Sequence, residues 1–365
     1  MTGDPELARI FAPGGRVLGL GDKLRNPALA ETLRRIARDG RKGFYEGPVA
    51  ADIVATLTDR GGLHTIEDLG LQRAEYIAPI SAPYRDTDVF ECPPNGQGVA
   101  ALMILRTLAG YDLAGDRFSD ADRIHLLAEA TKAAYGARDA LVGDLRFADV
   151  EVARLLSDEC AELVRAGISL DRVGDPPDWD EPEHKDTIYL CVVDRDGNAV
   201  SFINSIFHEF GSGIVAPKSG VVLHSRGSMF RTRPGHPNAI APGKRPLHTI
   251  IPGMLVKNGR AVMPFGVMGG NFQATGHAHL LMQMIDRGLD PQAALETPRS
   301  FAFGGALGLE STIPRAVAED LSRRGHAVGY AERPFGGGQA IWIDHDKGVL
   351  IGGSDPRKDG CALGY

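Results

Sequence analysis

Thr187 stands where a hydroxyl group could do covalent chemistry. It opens the run Thr187-Ile188-Tyr189-Leu190-Cys191-Val192-Val193, whose β-branched and aromatic pattern predicts a buried strand. Ahead of it lies Asp171 to Asp186, a polar tract rich in Pro and Asp that reads as a linker. Such a linker before a strand-initiating hydroxyl residue points to a self-cleaving N-terminal nucleophile. Cutting Asp186–Thr187 would free the Thr187 α-amine, which can take the hydroxyl proton during attack and pass it to the leaving amine. A centre of that kind needs no separate histidine, metal or cofactor. The competing reading is a Thr that merely begins a strand, as Thr commonly does.

Several elements must position that hydroxyl. Asp194-Arg195-Asp196-Gly197-Asn198 is expected to turn the chain, so that Ala199 to Phe207 returns antiparallel to the first strand. Met254–Val256, Ala261–Met263 and Phe265–Met268 alternate like further strands, followed by Gly269-Gly270 and a helix from Gln273 to Gly288. Gln339–Asp344 and Val349–Ser354 predict a last hairpin, and Gly336-Gly337-Gly338 before it reads as loop. Upstream, helices are expected over Asn26–Asp39, Pro48–Asp59 and Val99–Ala109, with strands over Ala78–Ala82 and Thr87–Cys92. Pro79 assigns the first of those strands to a sheet edge. Ser119 and Asp122 have capping-box spacing for a helix running through Tyr135, whose His125 lies among apolar neighbours and reads as structural. The mixture predicts an α+β fold.

The order of the motifs resembles the γ-glutamyltranspeptidase family of Ntn hydrolases. The small subunit of that family begins with a nucleophilic Thr, continues as an apolar strand ending in Val-Asp, and then reads D-G-N-A-V. Here those are Thr187, Val193-Asp194 and Asp196-Gly197-Asn198-Ala199-Val200. The resemblance continues through Phe210-Gly211-Ser212-Gly213-Ile214-Val215, Lys244-Arg245-Pro246, Gly269-Gly270 and Ser354-Asp355-Pro356-Arg357. It implies a four-layer αββα sandwich. It also implies a division into residues 1–186, the later part of a large subunit with its linker at 171–186, and residues 187–365, the small catalytic subunit. After self-cleavage the two would remain one structural domain, a heterodimer that could pair again. By the same resemblance Ser205 takes the place of a second hydroxyl beside the nucleophile, and the backbone N–H groups of Gly269 and Gly270 hold the oxyanion.

The substrate-gripping positions depart from the pattern. Where glutathione-using members carry Asn, Gln and Asp for the γ-glutamyl α-amine and α-carboxylate, this chain has Phe207, Arg226 and Met229. Where they carry a Ser-Ser pair, it has His248-Thr249. An ammonium group needs an acceptor, and neither Phe nor Met supplies one. Arg226 could instead clamp a carboxylate, or serve only as a surface ion pair. These departures resemble the bacterial branch that includes oxamate amidohydrolase and cephalosporin-acylase-like proteins, and they favour a small anionic amide such as oxamate. Ordinary γ-glutamyl transfer and an inactive truncated homologue are the alternatives.

Composition narrows the class. With 365 residues, 43% hydrophobic and 24% charged, the chain can bury a large core. A net charge of -7 offers no basic face for nucleic acid and no polybasic membrane anchor. Cys92, Cys160, Cys191 and Cys361 have neither framework nor zinc-site spacing, which favours a reducing, cytoplasmic setting. Met1-Thr2-Gly3-Asp4-Pro5 does not read as a signal peptide, although a longer N-terminus could carry one. Nothing before Asn26 resembles the family's opening strands, so the expectation is a chain that lacks them and is incompetent alone.

Overall fold

A computed structural model describes residues 3–175 and 187–365. They fall into two compact units, one of 1–77 with 206–226, the other of 78–205 with 227–365. This partition does not follow the Asp186–Thr187 bond. Asp186 lies outside the described residues.

The first unit is helical, held by a short two-stranded ribbon, Val215–Ala216 and Val221–Val222. The helix Pro27–Asp39 is capped by Asn26, whose side chain accepts from Leu29 N–H and donates to the Gly220 carbonyl at 2.9 Å. Asp52, buried on the Gly47–Thr58 helix, accepts three bonds from the ribbon turn: Lys218 N–H, Ser219 N–H and Ser219 Oγ. Apolar packing of Leu7 and Ile10 on Val215, and of Val49 and Ile53 on Ala216, completes this unit. The helix Pro5–Phe11 has no counterpart in the sequence expectation.

The second unit is built on a six-stranded antiparallel sheet. Its order is Ile80–Tyr84, Thr87–Glu91, Gly253–Lys257, Arg260–Met268, Gly337–Asp344 and Val349–Ser354. The first strand is at the sheet edge as expected, but it spans Ile80–Tyr84, so Pro79 precedes it and Pro83 lies inside it. Two strands expected over 261–263 and 265–268 are one, because Pro264 stands opposite Met254 without ending the ladder. The tight turn at Asn258 and Gly259 requires positive φ, 51° and 74°, which Asn and Gly supply. Gly337 and Gly338 start a strand rather than a loop. The Ser119–Asp122 capping box is present and its helix runs to Leu141, six residues beyond expectation. Helices Gly98–Leu108, Asp120–Leu141 and Phe272–Leu281 pack together beside this sheet.

The hairpin Ile188–Val193 with Ala199–Asn204 packs against Arg260–Met268, making sheet on sheet. Tyr189 lies on Gly266, where an added Cβ would stand 2.3 Å from the ring. Ser201 Oγ donates to the Phe265 carbonyl at 3.1 Å. The returning strand ends at Asn204, short of the expected Phe207. Ile188, Val192 and Phe202 point outward and are about half exposed or more.

His125 is buried, with both ring nitrogens hydrogen-bonded. Its Nε2 donates to the Ser169 carbonyl and its Nδ1 meets His326 Nε2, each at 2.7 Å. His125, Glu129 and His326 bring donor atoms within 4.8 Å, and Glu129 pairs with Lys132 at 2.7 Å. Burial holds His279 down to about 3 and His326 down to about 4. The unfolded chain therefore binds more protons than the folded one below the ordinary histidine value of about 6.5. Stability should be complete above that pH and fall as pH drops toward 5, at about 1.4 kcal/mol per pH unit for each proton taken up. Calorimetric Tm values from pH 7.5 to 5 should decline, and His279→Asn should flatten the decline; a pH-independent Tm contradicts the assignment.

Candidate functional site

Hairpin register brings the two hydroxyl residues together. Ile188 pairs with Asn204, so Thr187 faces Ser205, and Thr187 Oγ1 donates to Ser205 Oγ at 3.4 Å. Thr187 is buried and Ser205 half-buried. On the Arg260–Met268 strand, Ser201, which pairs with Cys191, contacts Phe265, and Tyr189 contacts Gly266.

Gly269 and Gly270 have φ of 130° and 59°, conformations that side chains rarely adopt. Gly269 is also approached closely. A Cβ on Gly269 would lie 2.9 Å from Gly336 Cα, and a Cβ on Gly336 would lie 2.3 Å from the Met268 carbonyl oxygen, so the two backbones close directly on each other. Gly336, read from sequence as plain loop, thus backs the Gly-Gly turn.

His248 and Thr249 are tied into the same unit. His248 N–H donates to the Asn95 carbonyl at 3.0 Å, and the His248 carbonyl accepts from Gln97 N–H at 3.1 Å. The Gln97 side chain then donates to the Thr249 and Gly270 carbonyls, both at 2.9 Å. Neither Gln97 nor Arg138, its partner, stood out in the sequence. The one available signal was a Gln inside the Pro93-to-Gly98 turn, a position with no need for a polar side chain unless something accepts it.

Phe207 and Arg226 belong to the other unit and contact each other. The guanidinium carbon lies 4.9 Å from the Phe207 ring centre, a cation–π arrangement. Phe207 is fully buried at φ 83°, and burial pulls the Arg226 guanidinium down to about 10, leaving it charged at neutral pH. Arg226 is thus a half-buried cation stacked on an aromatic ring. Met229 is buried, and its carbonyl accepts from Asn238 Nδ2 at 2.7 Å. All four cysteines are free thiols.

The closing motif is a buried ion cluster. Asp355 accepts from Arg299 at 2.6 Å and from Gly338 N–H at 2.9 Å, while Arg357 pairs with Glu310 at 2.6 Å. These bonds fix the strand entered through Gly336. Among the described residues, no helix is long and apolar enough to cross a membrane.

Comparison with known proteins gives the family of the chain. The glutathione hydrolase-like YwrD proenzyme of Bacillus subtilis (strain 168) is 36% identical over 374 residues, covering 100% of this chain and 70% of that protein. The oxamate amidohydrolase proenzyme of Klebsiella pneumoniae is 35% identical, over 99% of this chain and 69% of its own length. Among solved structures, cephalosporin acylase from Bacillus halodurans superposes with a TM-score of 0.92 at 41% identity, over 100% of this chain and 68% of that one. The chain thus spans roughly two thirds of such relatives. The family description Gamma-glutamyltranspeptidase matches residues 1–365. With its α+β fold, sheet-on-sheet packing and Thr187 hairpin, the chain belongs to the gamma-glutamyltranspeptidase family of Ntn hydrolases, whose members are amide hydrolases and transferases.

Proposed function

We propose that the protein is an autoprocessed amidohydrolase that cleaves a small amide bearing a carboxylate, with Thr187 as its nucleophile. The observation that carries this reading is the Thr187 hydroxyl, buried at a strand start and 3.4 Å from the Ser205 hydroxyl. Cleavage at Asp186–Thr187 separates residues 1–186 from 187–365 and frees the α-amine. That amine draws the proton from Oγ1 as Oγ1 attacks the amide carbon. Ser205 accepts the hydroxyl hydrogen bond in the resting state and orients the lone pairs. The carbonyl oxygen becomes an oxyanion facing the N–H groups of Gly269 and Gly270, donors fixed before reaction. Collapse expels the amine with the proton from the α-amine, and water repeats the sequence on the ester.

Specificity follows from what the gripping positions offer. Arg226 supplies a charge for a carboxylate, while Phe207 and Met229 offer no side-chain acceptor for an α-ammonium. His248 and Thr249 add polar groups where the Ser-Ser pair stands in glutathione-using members. Oxamate fits this set, having a carboxylate and an amide but no amine.

The test is to incubate the purified protein with oxamate and, in parallel, with γ-glutamyl-p-nitroanilide. Release of ammonia from oxamate should outpace release of nitroaniline by a wide margin. Arg226→Ala should raise KM for oxamate on the order of tenfold or more, the loss of one charge-assisted pair. Robust γ-glutamyl transfer to a dipeptide acceptor would sink the reading.

A further inference from the structure

Gln97 has no exposed surface, and its side-chain amide is used at every position. The two Nε2 hydrogens go to the Thr249 and Gly270 carbonyls at 2.9 Å each, and Oε1 accepts from Arg138 Nη1 at 2.7 Å. Arg138 is equally buried, in the last turn of its helix. Its Nη1 also donates to Asn271 Oδ1 at 3.0 Å, its Nε to Asp139 Oδ1 at 2.6 Å, and its guanidinium stacks 4.3 Å over the Tyr135 ring. Tyr135 in turn donates its hydroxyl to the Asn271 carbonyl. Two chain segments, the turn after Pro94 and the long Asp120–Leu141 helix, thereby converge on the residues around the Gly-Gly turn.

The consequence lies in peptide planarity. C=O and the next N–H share one plane and point in opposite directions. Phe272 N–H holds the Gly269 carbonyl at 3.0 Å, which aims the Gly270 N–H. Gln273 N–H at 3.1 Å and Gln97 Nε2 together hold the Gly270 carbonyl, which aims the following peptide. Glycine has no side chain to resist a peptide flip, so the turn depends on these outside bonds for a single conformation. The Arg138 charge polarises the Gln97 amide and strengthens both of its donations.

We propose that Gln97, oriented by Arg138, is a positioning residue that locks the Gly269-Gly270 turn in its oxyanion-binding conformation and ties it to the Thr249 segment. This rests on the amidohydrolase reading above. Gln97 touches no reacting atom; it acts through the Gly270 carbonyl.

The test is Gln97→Glu, measured with oxamate. The carboxylate matches the amide in shape and keeps Arg138 paired, but it has no N–H for either carbonyl. Expected is a fall in kcat of roughly 10–100-fold, below the loss of a whole oxyanion donor, with KM within about threefold and slower conversion of the proenzyme on a gel. If Gln97→Glu does not fold, Arg138→Lys decides the matter: it keeps the charge, loses the planar fork, and should lower kcat by about three- to tenfold at unchanged KM. Wild-type kcat in the folded variant, or a change in KM alone, overturns the inference while leaving the amidohydrolase reading intact. A wild-type protein that neither cleaves itself nor hydrolyses an amide removes both.

Discussion

Thr187→Ala should migrate as one uncut polypeptide and lose amide hydrolysis by on the order of 10⁵-fold or more, the scale of removing a nucleophile that works as part of a unit. The same hydroxyl is assigned to both events: attack on the preceding carbonyl in the precursor, and attack on substrate in the mature enzyme. The substitution should not unfold the chain. The Thr187 side chain makes one long hydrogen bond, to Ser205 at 3.4 Å, whose loss costs about 1 kcal/mol or less. Thr187→Ser keeps the oxygen and the amine and should still cleave, more slowly. A denaturing gel and an ammonia assay read both variants. Efficient cutting of Thr187→Ala at Asp186–Thr187 would remove the assignment.

Gly269→Ala should be nearly as damaging to turnover, by a different route. At φ 130° an alanine is strained, about 1–3 kcal/mol, and its Cβ would stand 2.9 Å from the Gly336 backbone. Neither backbone can yield easily. The Gly336 strand is anchored through the Gly338 N–H to Asp355, which Arg299 holds at 2.6 Å in the interior. The Gly269 N–H must therefore move off target, and a misplaced oxyanion donor costs about 10²–10³-fold in kcat. Gly235→Ala is the matched control. Its φ of 80° carries similar strain, but nothing lies within 4 Å of the added Cβ. It should lower Tm without changing kcat. Equal kcat values for Gly269→Ala and the parent would dismiss the oxyanion role.

What the sequence determined by itself is local. Turn chemistry at Asp194–Asn198 and the strand patterns around it encode a hairpin that begins just after Thr187. The Ser119–Asp122 cap and the last hairpin were legible for the same reason: each is encoded by residues a few positions apart. The order of motifs carried the family, because several independent short patterns rarely recur in one sequence by chance. Tertiary structure alone decided the rest. Gln97 meets Gly270 across 173 residues, and no periodicity in either segment announces the other. Gly336 looks like any turn glycine until the Gly269 backbone is laid against it. Arg138 sits in a helix where a charged residue usually faces water, yet it is fully buried because Gln97, Asn271 and Asp139 converge on it. Contacts between distant segments depend on how packed layers meet, and that geometry is written in no single stretch of chain.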